Sequence, residues 1–405
     1  MKGRTMSEEA CMACGMPLSY DRLITGFYQI SSNEHDRWCS FCADPKNRNR
    51  AQNPKKVDNA WVLDMLLEIY RSKSRFWKTL AGIAEKLAPI LPANIYTMAK
   101  LINDLPSRSA DSNYDALVLY SGGKDSSYML LNLAQRNIRV CAWMLDQGYQ
   151  SPIAIDNATQ LCKNLGVPLV IEKPDKGSMD ALFRLGFGIQ KDESPELVRA
   201  VMTYGSACWP CFAMIAAAST VFCQKNKVPF CFIGTQEGQN RMDLNGQAAL
   251  AGRGLPRVDD LTEKFMNPFR NYVKAKQPEA ARLLTIGPCD TILIPFYEFI
   301  KRPSPEEQLR VLENIGWKMP KNTGFCSTNC MINELGRKVM RTRFGFDLYQ
   351  IIDAHERRIG NEKSQLGLEN HRHELETAAV LRGAKMIGLT EEERREYKVE
   401  VKLNA

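Results

Sequence analysis

The sequence predicts an α/β protein: a doubly wound parallel sheet, preceded by a small cysteine module and followed by a mainly helical region. Three observations predict it. From Tyr114 onward, short apolar runs alternate with longer amphipathic ones, the pattern of strands buried on both faces and joined by helical crossovers. The first run, Ala116–Tyr120, passes into Ser121-Gly122-Gly123-Lys124-Asp125-Ser126-Ser127, a tight glycine turn opening a helix. Two CxxC pairs stand within the first 45 residues.

At 405 residues the chain exceeds one ordinary core, and two or three units of domain size fit it better. With 44% hydrophobic and 25% charged residues, a folded protein is expected and a disordered one is excluded. Met1–Ala10 is polar, so no signal peptide is read there. The longest apolar stretch, Cys211–Cys223, is too short to span a bilayer and reads as a buried helix. A cytoplasmic protein with no membrane partner is expected. The formal charge of +8, with Lys and Arg enriched over Lys46–Lys78, permits RNA or phosphorylated ligands. Thirteen cysteines without an export signal favour metal binding or redox chemistry over disulfides.

Four zones follow in order. Residues 1–45 hold Cys11/Cys14 and Cys39/Cys42 with strand-like text at Leu23–Ile30. Residues 46–110 open basic and Asn-rich, then show helical periodicity at Trp61, Leu63, Leu66 and Leu67, and again at Leu80, Ile83 and Leu87. Residues 111–300 carry the sheet: strands at Ala116–Tyr120, Ile138–Leu145, Pro168–Glu172, Phe230–Gly234 and Thr291–Pro295. Its helices are expected at Ser126–Arg136, Ser151–Leu165, Met179–Phe187, Pro210–Lys225 and Thr262–Thr285. Residues 301–405 read as helices at Pro305–Ile315, Cys330–Arg343 and Asp347–Arg358, with a charged, mobile end at Glu391–Ala405.

A helix N-terminus presents unpaired N–H groups and partial positive charge, and so attracts oxyanions. Gly122 and Gly123 let backbone curl round a phosphate, Lys124 adds a point charge, and Ser121, Ser126 and Ser127 add hydroxyls. No Walker A pattern occurs, which disfavours a P-loop NTPase. Ligands of open parallel sheets gather beyond the carboxyl ends of the strands. Asp146 and Gly234-Thr235-Gln236 both end predicted strands, where turn chemistry competes with ligand binding as their explanation.

The spacing CxxC, twenty-four residues, CxxC suits tetrahedral zinc, giving a zinc-ribbon-like module with Cys11, Cys14, Cys39 and Cys42 as ligands and no open position. Cys208-Trp-Pro-Cys211 differs: it opens a predicted helix inside the sheet region, where a helix N-terminus favours thiolate. Cys326 and Cys330 follow a Gly/Pro/Asn-rich loop. If these two pairs meet, they make a second metal site, a three-cysteine iron–sulfur site, or a sulfur-relay pair; otherwise they are unrelated. Cys141, Cys162, Cys223, Cys231 and Cys289 read as core. The four histidines (His35, His355, His371, His373) form no ligand cluster, and His355 reads as a helix-surface residue, with a catalytic role the alternative.

Ser121–Ser126 (SGGKDS), placed between first strand and helix, closely resembles the signature of the N-type ATP pyrophosphatases, the PP-loop family with its HUP-like fold. The resemblance implies cleavage of ATP to AMP and pyrophosphate, with Mg²⁺ neutralising phosphate charge, and transfer of AMP to a carbonyl oxygen. It implies Lys124 and Asp125 as catalytic residues, Asp146 near the adenosine and Gly234 near the phosphates. Two branches look similar. In the tRNA-thiolating branch a CxxC and a later cysteine hold a [4Fe-4S] cluster, matched here by Cys208, Cys211 and Cys326, with Cys330 the alternative; the gap before the third cysteine is longer here. In the N-acetyl sugar amidotransferases the start resembles Cys11-Met-Ala-Cys14-Gly-Met-Pro17, and a CWPC-like segment recurs.

The expected activity is ATP-dependent replacement of a carbonyl oxygen by sulfur on a nucleobase, in tRNA or a small molecule, with a sulfur donor as partner. Cys208, Cys211, Cys326 and Cys330 would carry the sulfur. The alternatives are replacement by nitrogen with an ammonia-supplying partner, and an inactive nucleotide-binding regulator. A homodimer is compatible with all three.

Overall fold

The computed structural model describes residues 10–25, 37–52, 58–87, 90–107, 111–236, 239, 254–359 and 374–399. Five strands form one parallel sheet: β1 (Ala116–Leu119), β2 (Val140–Leu145), β3 (Leu169–Glu172), β4 (Phe230–Ile233) and β5 (Ile292–Pro295). Their order is β3-β2-β1-β4-β5. The chain therefore winds outward from β1 in one direction and then in the other, leaving a switch point between β1 and β4.

Side chains alternate along each strand and feed two cores. Leu117, Cys141, Trp143 and Cys231 point into one, and Val118, Ala142, Met144 and Phe232 into the other. All five candidate strands are present, because a strand covered on both faces must be apolar throughout. The five cysteines read as core are all buried.

The helices depart more from expectation. The first crossover helix begins two residues early, at Lys124–Ala134, and the next ones are Pro152–Leu165, Lys176–Gly188 and Cys208–Asn226. A helix at Pro195–Tyr204 was not expected; Ser194 caps it by accepting from the Leu197 N–H, with Pro195 in its first turn. The stretch expected as one helix over Thr262–Thr285 is Val258–Lys276 followed by the short Pro278–Ala281 and a 3₁₀ turn. Among the described residues of the first zone there is no strand: Leu18–Thr25 is helical, and residues 26–30 of the expected strand-like text lie outside the description.

The C-terminal region is helical, with Pro305–Glu313, Asn333–Phe344, Leu348–Ile359 and an unexpected Thr377–Met386. The end expected to be mobile is instead anchored as far as it is described. Glu391–Glu396 is a helix with a Thr390/Glu393 capping box, and Glu396 pairs with Arg343 at 3.0 Å; residues 400–405 lie outside the description. His355 is buried at 9% exposure, not on the surface, because its helix is covered on several sides. His35, His371 and His373 lie outside the described residues. No single described helix is long and apolar enough to cross a membrane.

One buried carboxylate fixes the base of the sheet. Asp115, just before β1, accepts from Tyr70 Oη at 3.0 Å and from Arg139 Nη2 at 2.9 Å. Burial opposes its charge, but Arg139 and Tyr70 outweigh it and hold the carboxyl down at about 2. A carboxyl lowered on folding contributes stability above its unfolded value near 4, and that contribution is lost as pH falls from about 4 towards 2. Asp115→Asn should therefore cost roughly 2 kcal/mol at pH 7 and little at pH 2, read by urea unfolding at both values. An equal cost at the two pH values would refute the ionic account.

Candidate functional site

The glycine turn sits at the switch point. β1 ends at Leu119, and Gly122 follows in a left-handed conformation with φ +71°. A Cβ on Gly122 would lie 1.9 Å from the Ala154 carbonyl oxygen, so the turn is pressed against the neighbouring helix backbone. The serines knit it internally: Ser126 Oγ lies 3.0 Å from Ser121 Oγ, and Ser127 Oγ lies 3.1 Å from Tyr120 Oη. Lys124 is buried, and its Nζ donates to both Asp125 oxygens at 2.8 Å.

Residues distant in sequence complete the turn. Trp317 Nε1 donates to the Gly122 carbonyl at 2.9 Å. Thr328 Oγ1 accepts from the Lys124 backbone N–H at 3.1 Å. Gln308 Nε2 donates to Asp125 Oδ1 at 3.1 Å, and Tyr297 Oη donates to the Asp125 carbonyl at 2.8 Å. Burial alone would raise the Asp125 carboxyl; Lys124 and Arg302, with hydrogen bonds from Lys124 and Gln308, hold it below its ordinary value. Arg302 in turn pairs with buried Glu356 at 3.0 Å. The turn is thus a preorganised knot of opposite charges at the start of a helix, suited to an anionic ligand accompanied by cations.

At the other strand ends, Asp146 Oδ1 accepts from the Gly148 N–H at 3.0 Å, and Asp146 pairs with Lys173. Gly234 packs against the turn's helix, where a Cβ would lie 3.2 Å from Met129 Cε. Both residues have a structural task at the rim of the switch point.

The second cysteine group borders this turn. The helix Pro195–Tyr204 ends at Gly205, φ +86°, and the chain bends by 89° into Cys208–Asn226. Cys208 and Cys211 therefore lie one turn apart at a helix start, opposite the segment that carries Cys326 and Cys330. That segment reaches the switch point directly: Asn329 O accepts from the Ser151 N–H at 2.7 Å, and the Met331 N–H donates to Tyr149 O at 2.9 Å. Gln147 Nε2 donates to Cys211 Sγ at 2.9 Å. Asn333 Nδ2 lies 3.8 Å from Cys208 Sγ and donates to Tyr349 Oη at 2.9 Å.

Of the thirteen cysteines, only Cys208, Cys211, Cys326 and Cys330 are partly exposed. Contrary to what the sequence suggests, the thiols of Cys208 and Cys211 are not lowered by the helix start. Burial, together with nearby Cys330, Asp347 and Cys326, pushes Cys208 up to about 12, and burial pushes Cys330 to about 11. Cys211 is raised by burial and by Cys330 and Cys208. Low-dielectric surroundings and neighbouring thiols outweigh the helix dipole here. These four are neighbours but not a closed ligand set. Among the described residues, the one group of three or more metal-type ligand atoms mutually within 4.8 Å is Cys11, Cys14, Cys39 and Cys42.

That first group fits zinc. All four thiols are buried, and Cys14 and Cys39 Sγ are 3.7 Å apart. A tetrahedron with Zn–S bonds of about 2.3 Å has edges of about 3.8 Å. The knuckle closes through the Gly15 N–H donating to Cys11 O at 2.8 Å, and the second CxxC turns through the Ala43 N–H donating to Cys39 O at 2.9 Å. Hydrogen bonds among the thiols lower Cys11 and raise Cys42, because four crowded sulfurs cannot all be charged without a cation. Arg358 supplies one positive neighbour: its Nη2 donates to Cys39 Sγ at 2.9 Å, and its guanidinium stacks 4.7 Å from the Phe41 ring centroid.

Sequence reasoning missed Gln147, Arg302, Trp317, Thr328 and Asn333. Gln147 was findable, since it lies in the strand-end segment beside Asp146. The others come from distant loops and carry no local motif.

No family model matches the chain, and no curated protein matches its sequence. Among solved structures, that of the U34-tRNA thiolase NcsA from Methanococcus maripaludis with its [4Fe-4S] cluster is similar at 17% identity, covering 96% of this chain and 100% of that one, with a TM-score of 0.28.

Proposed function

We propose that this protein uses ATP to activate a carbonyl oxygen as an adenylate, releases pyrophosphate, and then places sulfur where the oxygen was. The acceptor would be a nucleobase in tRNA or a free small molecule. The observation that carries this reading is the contact between Thr328, from the Cys326–Cys330 segment, and the backbone of Lys124 in the glycine turn. It sets the segment bearing Cys326 and Cys330, two of the four partly exposed cysteines, against the glycine turn.

The chemistry has two steps. The carbonyl oxygen attacks the α-phosphorus, the bond to the bridging oxygen of the β-phosphate breaks, and pyrophosphate leaves. Sulfide, released by a donor, then attacks the activated carbon. The C–O bond breaks, AMP departs, and a thiocarbonyl remains. Lys124 and the helix start would stabilise charge on the departing pyrophosphate, Asp125 orients Lys124 and would hold Mg²⁺, which neutralises phosphate charge when bound, and the turn's rigidity would align the in-line displacement. Cys208, Cys211 and Cys326, with Cys330 the alternative third ligand, would hold the sulfur-carrying group, an iron–sulfur cluster that would supply an open iron when bound. Cys11, Cys14, Cys39 and Cys42 would hold structural zinc.

The test follows the nucleotide and the sulfur separately. Wild-type protein with α-labelled ATP and a thiolatable acceptor should yield AMP, and Cys211→Ser should retain pyrophosphate release in the first turnover while losing AMP turnover and thiocarbonyl product at least 100-fold. ADP as product would overturn the pyrophosphatase reading. Ammonia incorporation that survives Cys211→Ser would overturn sulfur transfer in favour of the alternative in which nitrogen replaces the oxygen.

A further inference from the structure

The helix Arg75–Lys86 is seated the wrong way round for a lone surface helix. It buries its small residue Ala81 and directs Lys78 and Glu85 inward, where Lys78 Nζ donates to Leu105 O at 2.7 Å and Glu85 accepts from Asn103 at 2.6 Å. Its large apolar residues face out: Phe76, Leu80, Ile83 and Leu87 are 66%, 45%, 52% and 44% exposed. Trp77, whose ring centroid lies 5.4 Å from that of Phe76, and Ile90, whose N–H donates to Leu87 O at 3.0 Å, extend the same patch. The helical periodicity read from the sequence at Leu80, Ile83 and Leu87 is real, but it marks an uncovered face.

Phe76, Leu80, Ile83 and Leu87 are spaced by four, three and four residues. That narrow stripe is the seam of a coiled coil rather than the broad face of a helix lying on a core. We infer that this seam pairs antiparallel with the same helix of a second copy of the chain. In that register the seam is self-complementary: Phe76 meets Leu87 of the second copy, and Leu80 meets Ile83 of the second copy. On the flanks, large Trp77 falls beside small Ala84 of the second copy, and Lys86 beside Thr79 of the second copy, so no like charges meet.

The area also fits. Scaled by their exposures, these six side chains present on the order of 600 Å² of apolar surface, given about 150–250 Å² for a whole aromatic side chain. A standard interface takes about 800 Å² from each partner, and the largest apolar patch on a typical monomer is about 300–600 Å². A nucleic acid is a poorer occupant, because the centre of the stripe is Leu80 and Ile83, branched aliphatics on which bases do not stack.

Light scattering coupled to size exclusion, on the full chain at micromolar concentration, is the test. The wild type should run as a dimer. Leu80→Asp and Ile83→Asp should each raise the dimer dissociation constant at least 100-fold while leaving the thermal midpoint of the monomer unchanged, since both sites are exposed. The double variant Leu80→Cys/Ile83→Cys should cross-link between copies on mild oxidation well beyond the wild-type background, because the antiparallel register places these positions opposite each other. A monomeric wild type, or a dimer that survives Leu80→Asp, would overturn the inference. So would a monomer that co-sediments with phosphatidylglycerol vesicles and loses that binding in Leu80→Asp, which would assign the face to a membrane surface.

Discussion

Cys39→Ala should release the metal from the N-terminal module and unfold that module, the largest single effect expected anywhere in the chain. Structural zinc in four-ligand modules contributes on the order of 10 kcal/mol or more to folding, because no preformed site exists in the unfolded segment. Among the described residues little else holds this region together: the helix Pro45–Gln52 carries mostly polar residues, and the large buried apolar side chains between the two cysteine pairs are Met16, Leu18 and Tyr20. Removing one sulfur leaves three ligands and also deprives Arg358 of its acceptor. Metal analysis should find one zinc per wild-type chain and less than a tenth of that in the variant, with residues 10–52 the first to be cut by protease. A variant that retains full zinc and wild-type protection would show that the four thiols are a buried cluster without a metal.

Gly122→Ala should be the most damaging change in the glycine turn, and much worse than Gly123→Ala. At Gly122 the new Cβ meets a backbone carbonyl, Ala154 O, at 1.9 Å, and φ is +71°. A left-handed conformation costs a residue with a Cβ about 1–2 kcal/mol, and forced overpacking adds about 1–3 kcal/mol. At Gly123 the backbone is extended, and the nearest atom is Thr328 Oγ1 at 2.9 Å, the end of a side chain that rotates. A loss of roughly 3 kcal/mol in stability is therefore expected for Gly122→Ala, against less than about 1 kcal/mol for Gly123→Ala. AMP formation should fall at least 100-fold in the first, since a shift of about 1 Å at a reacting centre has that effect. Denaturant melts and labelled-ATP turnover read both quantities; equal behaviour of the two variants would refute the account.

The parts of this structure visible in the sequence are those that rest on local rules. Four of the five strands are continuous apolar runs and β3 departs only at Glu172, and the cysteine spacing alone brings four thiols to one point. The turn at Ser121–Ser127 announces itself because tight chemistry needs glycine there. Some local signals were present but overlooked: Ser194-Pro195 opens a helix, and Thr390 with Glu393 spells a capping box. What the sequence withholds is contact at a distance. Trp317 and Gly122, or Arg358 and Cys39, are joined by nothing except the packing of the finished fold. Periodicity at Leu80 and Ile83 identifies one face of a helix but not whether anything covers it.

One short helix, Leu348–Ile359, touches every reactive part of the molecule. Tyr349 near its start accepts the hydrogen bond from Asn333, beside Cys208. Glu356 holds Arg302 behind Asp125, and Arg358 at its end holds the thiol of Cys39. Shortening the chain ahead of Leu348 would thus not trim an appendage; it would pull a splint from three places at once. Any chimera built from this protein must exchange its first fifty residues together with that splint, since neither makes structural sense without the other.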